Sequence, residues 1–108
     1  NNVNYFKATP GGLNHPIISC FEEDKEGNLW IGTEGGGLNY WNRKTDKFLY
    51  YTQENKTGIT SNIIKKLQYD ERNNSLQISA FNGGMEQFDA RQQRFIDQRM
   101  YHSTTSQL

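Results

Sequence analysis

The sequence predicts an all-β fold assembled from repeated four-stranded antiparallel sheets, and three observations carry that expectation. The first is an internal repeat. The stretch from Leu29 to Trp41, Leu-Trp-Ile-Gly-Thr-Glu-Gly-Gly-Gly-Leu-Asn-Tyr-Trp, returns in worn form from Leu76 to Phe88, at an offset of 76 − 29 = 47 residues. Upstream, Ile17-Ile18 matches Ile63-Ile64 and Asp24 matches Asp70, at 63 − 17 = 46, so one residue is inserted between Asp70 and Leu76. The second is composition: the chain is only 33% hydrophobic yet 13% aromatic, a mixture that suits half-buried pleated strands better than disorder. The third is that no segment carries the 3.6-residue apolar period of a helix.

The elements follow in order. Residues 4–8 (Asn-Tyr-Phe-Lys-Ala) read as a lone strand, and Thr9-Pro10-Gly11-Gly12 is turn chemistry. In the first full unit, residues 17–23 form a strand and Asp24-Lys25-Glu26-Gly27-Asn28 a hairpin turn. Residues 29–33 form a second strand, 37–41 a third and 47–52 a fourth, with turns at 34–36 and 42–46. The second unit repeats the plan over residues 63–69, 76–80, 84–88 and 94–99. A four-stranded unit recurring every 40 to 50 residues or so is the signature of a β-propeller blade. The chain therefore divides into residues 1–12, the last strand of a preceding blade and its connector; 13–57, a first full blade; 58–101, a second, divergent blade; and 102–108, a tail or connector. The fold class is a β-propeller segment of about two four-stranded blades plus one strand of a preceding blade.

Bulk properties narrow the function. With 12 Lys and Arg against 12 Asp and Glu, no net field draws the segment to nucleic acid or to an anionic membrane. No apolar run is long enough to span a bilayer, and neither a signal peptide nor an initiator Met opens the sequence, which reads as a piece of something longer or a processed form. The single cysteine, Cys20, forms no internal disulfide and is expected to be a small buried strand residue.

Motifs that suggest chemistry weaken on inspection. Glu22, Asp24 and Glu26 before Gly27 imitate the start of a calcium loop, but Thr33 stands where a bidentate Glu is required, so a solvated hairpin turn is the expectation. Gly32, Gly35, Gly36 and Gly37 lead into a strand rather than a helix, which removes a phosphate loop. His15 and His102 lack companions at zinc-ligand spacing, and no nucleophile elbow surrounds Ser19 or Ser61. The sequons at Asn55 and Asn73 are expected to carry no modification. No catalytic residue, metal site or cofactor is predicted. Trp30 and Trp41 could stack on sugar rings, yet both sit in repeated strand positions and are expected to pack between blades.

The motif residues Gly27, Asn28, Leu29, Trp30, Ile31, Gly32 and Thr33, with Gly36, Gly37 and Leu38, resemble the two-component regulator propeller repeat. In that family a blade reads as an Ile-Ile strand, an acidic turn ending Gly-Asn, Leu-Trp-Ile-Gly-Thr, Gly-Gly-Leu, an aromatic and a closing Phe. Here these fall on Ile17 and Ile18, Asp24, Gly27 and Asn28, residues 29–33, residues 36–38, Trp41 and Phe48. The second copy keeps Leu76, Ile78, Gly83 and Gly84 but has Gln77 for the Trp, Ser79 for the Gly, Ala80 for the Thr and Met85 for the Leu. The resemblance implies the periplasmic, ligand-sensing part of an inner-membrane hybrid two-component sensor, responsive to oligosaccharides and signalling to a histidine kinase outside these 108 residues. It further implies an oligosaccharide ligand and a homodimeric parent. An enzyme alternative is a propeller lyase or hydrolase of the streptogramin-lyase kind, and a third possibility is a non-enzymatic interaction scaffold.

A propeller gathers its variable loops at one rim, so ligand contact is expected from non-repeating loop residues. These are Glu34, Phe81 and Asn82 in the turns between second and third strands, and His15, Asn14, Ser61 and Asn62 in the connections between units. Two stacked sheets leave their outer faces wet. Such a chain is expected either to adjoin other blades of a longer chain or to associate with further copies of itself.

Overall fold

The computed structural model describes residues 4–5, 11–55, 57–82 and 84–96. Among the described residues there are nine strands and no helix. β1 (Asn4–Tyr5), β2 (Ile17–Glu23), β3 (Leu29–Thr33), β4 (Leu38–Asn42) and β5 (Lys47–Tyr51) form one antiparallel sheet in that order. β6 (Ile64–Asp70), β7 (Ser75–Ala80), β8 (Gly84–Asp89) and β9 (Arg94–Phe95) form the other. The second tryptophan-free copy thus builds the same meander as the first.

The registers show how closely the two copies correspond. Leu29 pairs with Trp41 and Trp41 with Phe48; Leu76 pairs with Phe88 and Phe88 with Phe95. Each sheet carries a bulge at the same place in its first full strand, between Ile18 and Cys20 and between Ile64 and Lys66. The inserted residue is absorbed in the turn before β7, where Asn74 takes the left-handed conformation at φ 50°. β4 and β6 differ slightly from expectation in where they meet their turns, as strand ends commonly do. β4 runs one residue further than predicted and β6 starts one later.

Asn4–Tyr5 lies along the edge of β2, with Asn4 opposite Ile18 and Tyr5 opposite Ile17. An unpaired strand edge is a ready template for any nearby extended segment, and this one is adjacent in sequence. The predicted tail at 102–108, His102 and the motif glycine Gly83 lie outside the described residues.

The turn after β2 is tighter than a solvated hairpin. Asp24 is buried, its Oδ1 accepting from the backbone N–H of Glu26 and Asn28 at 3.0 and 2.9 Å, and its Oδ2 from the Tyr40 hydroxyl at 2.7 Å. Asn28 in turn donates to the Tyr40 oxygen at 3.0 Å, and its side-chain oxygen accepts from Arg43 N at 3.0 Å. One buried carboxylate therefore ties two hairpins of the first sheet together. Burial and the Asp24 carboxylate both push the Tyr40 phenol well above its ordinary range.

The sheets pack face to face. Residues opposite one another on neighbouring strands share a face, so Cys20, Gly32, Leu38 and Tyr51, with Trp30 and Tyr40, point toward the second sheet. Ile64, Leu67, Leu76, Ile78, Ala80 and Phe88 point back. Trp30 is 3% exposed, and Leu38, Ile64, Leu76, Ile78 and Phe88 are fully buried. Gly32 is required by this approach: a Cβ there would stand 2.6 Å from Ile64 Cγ2 and 2.7 Å from Cys20 Sγ. The expectation for Trp30, packing between blades, holds.

Trp41 does not follow it. It lies on the opposite face of the first sheet, stacked on Phe48 at 5.9 Å and 11°, with its Nε1 donating to Asp46 Oδ1 at 2.9 Å. Its repeat partner Phe88 is fully buried because the first sheet covers it. Burial at this position needs a neighbouring blade on the near side, and Trp41 has none among the described residues.

Candidate functional site

The turns joining β3 to β4 and β7 to β8 lie at the same end of the stack as the connection from β5 to β6, and backbone hydrogen bonds fix them there. Glu34 N donates to Ile17 O at 3.1 Å and Phe81 N to Ile63 O at 2.9 Å, the same bond in each copy. Gly37 N donates to Asn62 O at 2.8 Å, and Glu34 forms an isolated bridge with Ile63. Gly37 adopts φ 75°, with the Tyr51 carbonyl occupying the space a side chain would need. The rim is thus a built surface that draws residues from both units.

Of the seven sequence-predicted rim residues, the structure brings two into one cluster. Lys65 reaches Glu34 Oε1 at 3.6 Å and sits 5.9 Å from the centre of the Phe81 ring, which is 50% exposed. The carboxylate, the ammonium and the aromatic face lie side by side at the seam between the sheets. Such a set can accept and donate hydrogen bonds to hydroxyl groups while offering an apolar face for stacking. Asn82 is exposed beside Phe81 and holds φ 60°.

His15 and Asn62 are occupied otherwise. His15 Nδ1 accepts from Ile17 N at 3.1 Å, where Ser61 Oγ accepts from Ile63 N at 3.1 Å in the second copy, and its ring rests on Gly35. Asn62 accepts from Gln53 N at 2.8 Å and donates to both oxygens of Glu54, holding that carboxylate below its ordinary range. Both side chains shape the connections between the units. Asn14 likewise spans to Gly36 O at 2.9 Å and forms a reciprocal pair with the buried Asn39, at 3.1 and 3.0 Å.

Lys65 was missed by sequence reasoning. It is the bulged residue between Ile64 and Lys66, and a bulge turns a side chain away from the alternation of its strand. The equivalent Ser19 is bulged too and donates to Ile64 O at 2.6 Å. No composition signal marks a bulge. The pairing shift becomes visible only once both strands are in place.

A second buried acid sits in the equivalent position to Asn39. Glu86 Oε2 accepts from Thr60 N at 3.1 Å, as Asn39 accepts from Asn14 N, but Oε1 has no partner, and burial pushes the carboxyl above its ordinary range. Among the described residues no group of three or more His, Cys, Asp and Glu side chains is placed to hold a metal ion.

Comparison with known proteins fits this architecture. Residues 12–35 match the family described as two component regulator propeller. Histidine kinase P4 of Formosa agariphila is 33% identical over 70 residues, covering 65% of this chain, while the chain spans only 5% of that protein. The crystal structure of the extracellular domain of a B. thetaiotaomicron protein, assigned there as a hybrid two component system, superposes with a TM-score of 0.69 at 19% identity. That match covers 87% of this chain and 13% of the other.

Proposed function

From a chain that carries the two component regulator propeller repeat, folded as two stacked four-stranded blades, we infer a segment of the ligand-sensing propeller of a two-component regulator. The observation that supports it most is the coincidence of the motif match at residues 12–35 with a blade stacked on a second of the same topology.

In this reading the segment is non-catalytic and lies in the extracytoplasmic, periplasmic part of an inner-membrane parent that is a homodimeric histidine kinase. Its ligand is an oligosaccharide, taken up at the rim where Glu34, Lys65, Phe81 and Asn82 stand together. The aromatic ring of Phe81 suits the C–H face of a pyranose, and the ion pair suits its hydroxyls. Ligand capture biases the relative placement of two protomers, and with it the kinase, only insofar as it binds one arrangement more tightly than the other.

Titration calorimetry of the intact sensor domain against a panel of purified glycan oligosaccharides tests it. The triple variant E34A/K65A/F81A should lose at least tenfold in affinity for whichever oligosaccharide binds, and unchanged affinity would remove the rim from the binding site.

A further inference from the structure

On the reading of the rim as a glycan site, its charges decide which sugars enter. Lys65 Nζ stands 3.6 Å from Glu34 Oε1, further than the roughly 2.7–2.9 Å of a charge-assisted hydrogen bond. Both side chains are reachable, Lys65 at 50% and Glu34 at 29% exposure. The pair is close enough for the two charges to offset each other, yet open enough for each partner to keep hydrogen-bonding capacity for a ligand. The ammonium only donates and the carboxylate only accepts, so two neighbouring sugar hydroxyls satisfy them together, one accepting from Lys65 and the next donating to Glu34. An anionic sugar gains much less. To reach the Lys65 ammonium its carboxylate must exchange with that of Glu34, one ion pair for another, and then stand beside a like charge.

The surroundings add no cation suited to holding a carboxylate or sulfate. Arginine is the side chain that grips such groups with two parallel hydrogen bonds. The four arginines among the described residues, Arg43, Arg72, Arg91 and Arg94, all lie in or beside the turns at the other end of the sheets. Lys66, next to Lys65 in the chain, stands opposite Ser79, on the face of the second sheet turned away from the first. The other charge in the nearby connection is a further carboxylate, Glu54, held by the Asn62 amide.

We infer that the rim takes uncharged oligosaccharides, those that present adjacent free hydroxyls beside a C–H face for Phe81, and that Glu34 is the residue that keeps anionic sugars out. Glu34 does so by holding the charge of Lys65 neutralised, not by filling the site. It serves discrimination through repulsion as much as affinity through contact.

Heteronuclear NMR titration of the whole chain tests this with matched probes, neutral hexose oligosaccharides each set beside its C6-oxidised uronate form, and the dispersion of the amide spectrum checks folding. For any pair that shifts the amides of Lys65, Phe81 and Asn82, the neutral member should bind tighter by about tenfold or more. E34Q keeps an acceptor oxygen but frees the ammonium, so it should strengthen binding of the uronate form by about tenfold or more, a gain that added salt reverses. A merely structural role for Glu34 would weaken both members alike and leave their ratio where it was. A wild-type chain that binds the uronate form as tightly as the neutral one overturns the inference, as does an unchanged ratio in E34Q, and either result leaves the rim standing as a glycan site. Rim amides that no probe of either kind shifts would overturn the glycan reading itself, and the role of Glu34 with it.

Discussion

The ring of Phe88 meets the indole of Trp30 edge-on, with centroids 5.2 Å apart and planes at 67°, across the seam between the two sheets. Tyr51 and Phe95 close around Phe88 at 4.9 and 5.0 Å, and Tyr40 lies 4.2 Å from Trp30. Apart from Trp30 and its neighbours on the first sheet, every ring in this cluster comes from the far side. The cluster is the main apolar link between the units.

Truncating its centre should therefore be expensive. Phe88→Ala leaves a cavity among residues of both sheets and is expected to destabilise the chain by about 3–5 kcal/mol, read as a fall in the urea midpoint. Phe48→Ala, on the partly exposed outer face, should cost distinctly less.

Gly32→Ala tests the closeness of the sheets from the opposite direction. The added methyl meets Ile64 and the Cys20 sulfur at less than van der Waals separation, and the overpacking should cost about 1–3 kcal/mol in the same assay. A cost near zero would mean that the sheets are further apart than described.

Glu86 should give the chain an unusual pH dependence. Its carboxyl is raised in the folded state by burial, so between the unfolded and folded values the native chain binds more protons than the unfolded one. Its contribution to stability accordingly falls as pH rises through that window, opposite to an ion-paired carboxylate. Glu86→Gln removes the buried charge and is expected to raise the neutral-pH stability by about 1 kcal/mol while flattening this slope, measured by urea titration from acid to neutral pH. Adding Thr60→Asn, to imitate the Asn14–Asn39 pair, should stabilise further.

Asp24→Ala removes the acceptor of two backbone amides and of the Tyr40 hydroxyl. About 2 kcal/mol should be lost, with Tyr40→Phe costing less because the carboxylate keeps its backbone donors. Thermal unfolding of the two variants side by side gives the comparison.

Much of this architecture is legible in the chain because each blade closes its own hydrogen bonds within about 45 residues, so local alternation and turn residues determine it. The repeat matched Leu76, Ile78 and Phe88 to Leu29, Ile31 and Trp41 before any coordinates. What it could not convey is which neighbour a face meets. Trp41 and Phe88 occupy the same repeat position, and only the presence of an adjoining sheet makes one half-exposed and the other fully buried. The rim shows the same division. Glu34 and Phe81 were found as breaks in the repeat, while Lys65 joins them through a bulge whose register depends on tertiary pairing, and His15 and Asn62, equally non-repeating, are consumed in holding the loops.

The stacking of two separate sheets is most directly decided by proton NMR of the folded chain. Nuclear Overhauser contacts should link the Trp30 indole to the ring protons of Phe88 and Tyr51, and interstrand Hα contacts should run from β2 to β5 and from β6 to β9 without crossing between the two sets. Hα contacts pairing β5 with β6 as neighbours in one sheet, with the Trp30 indole silent toward Phe88, would contradict the two-blade arrangement.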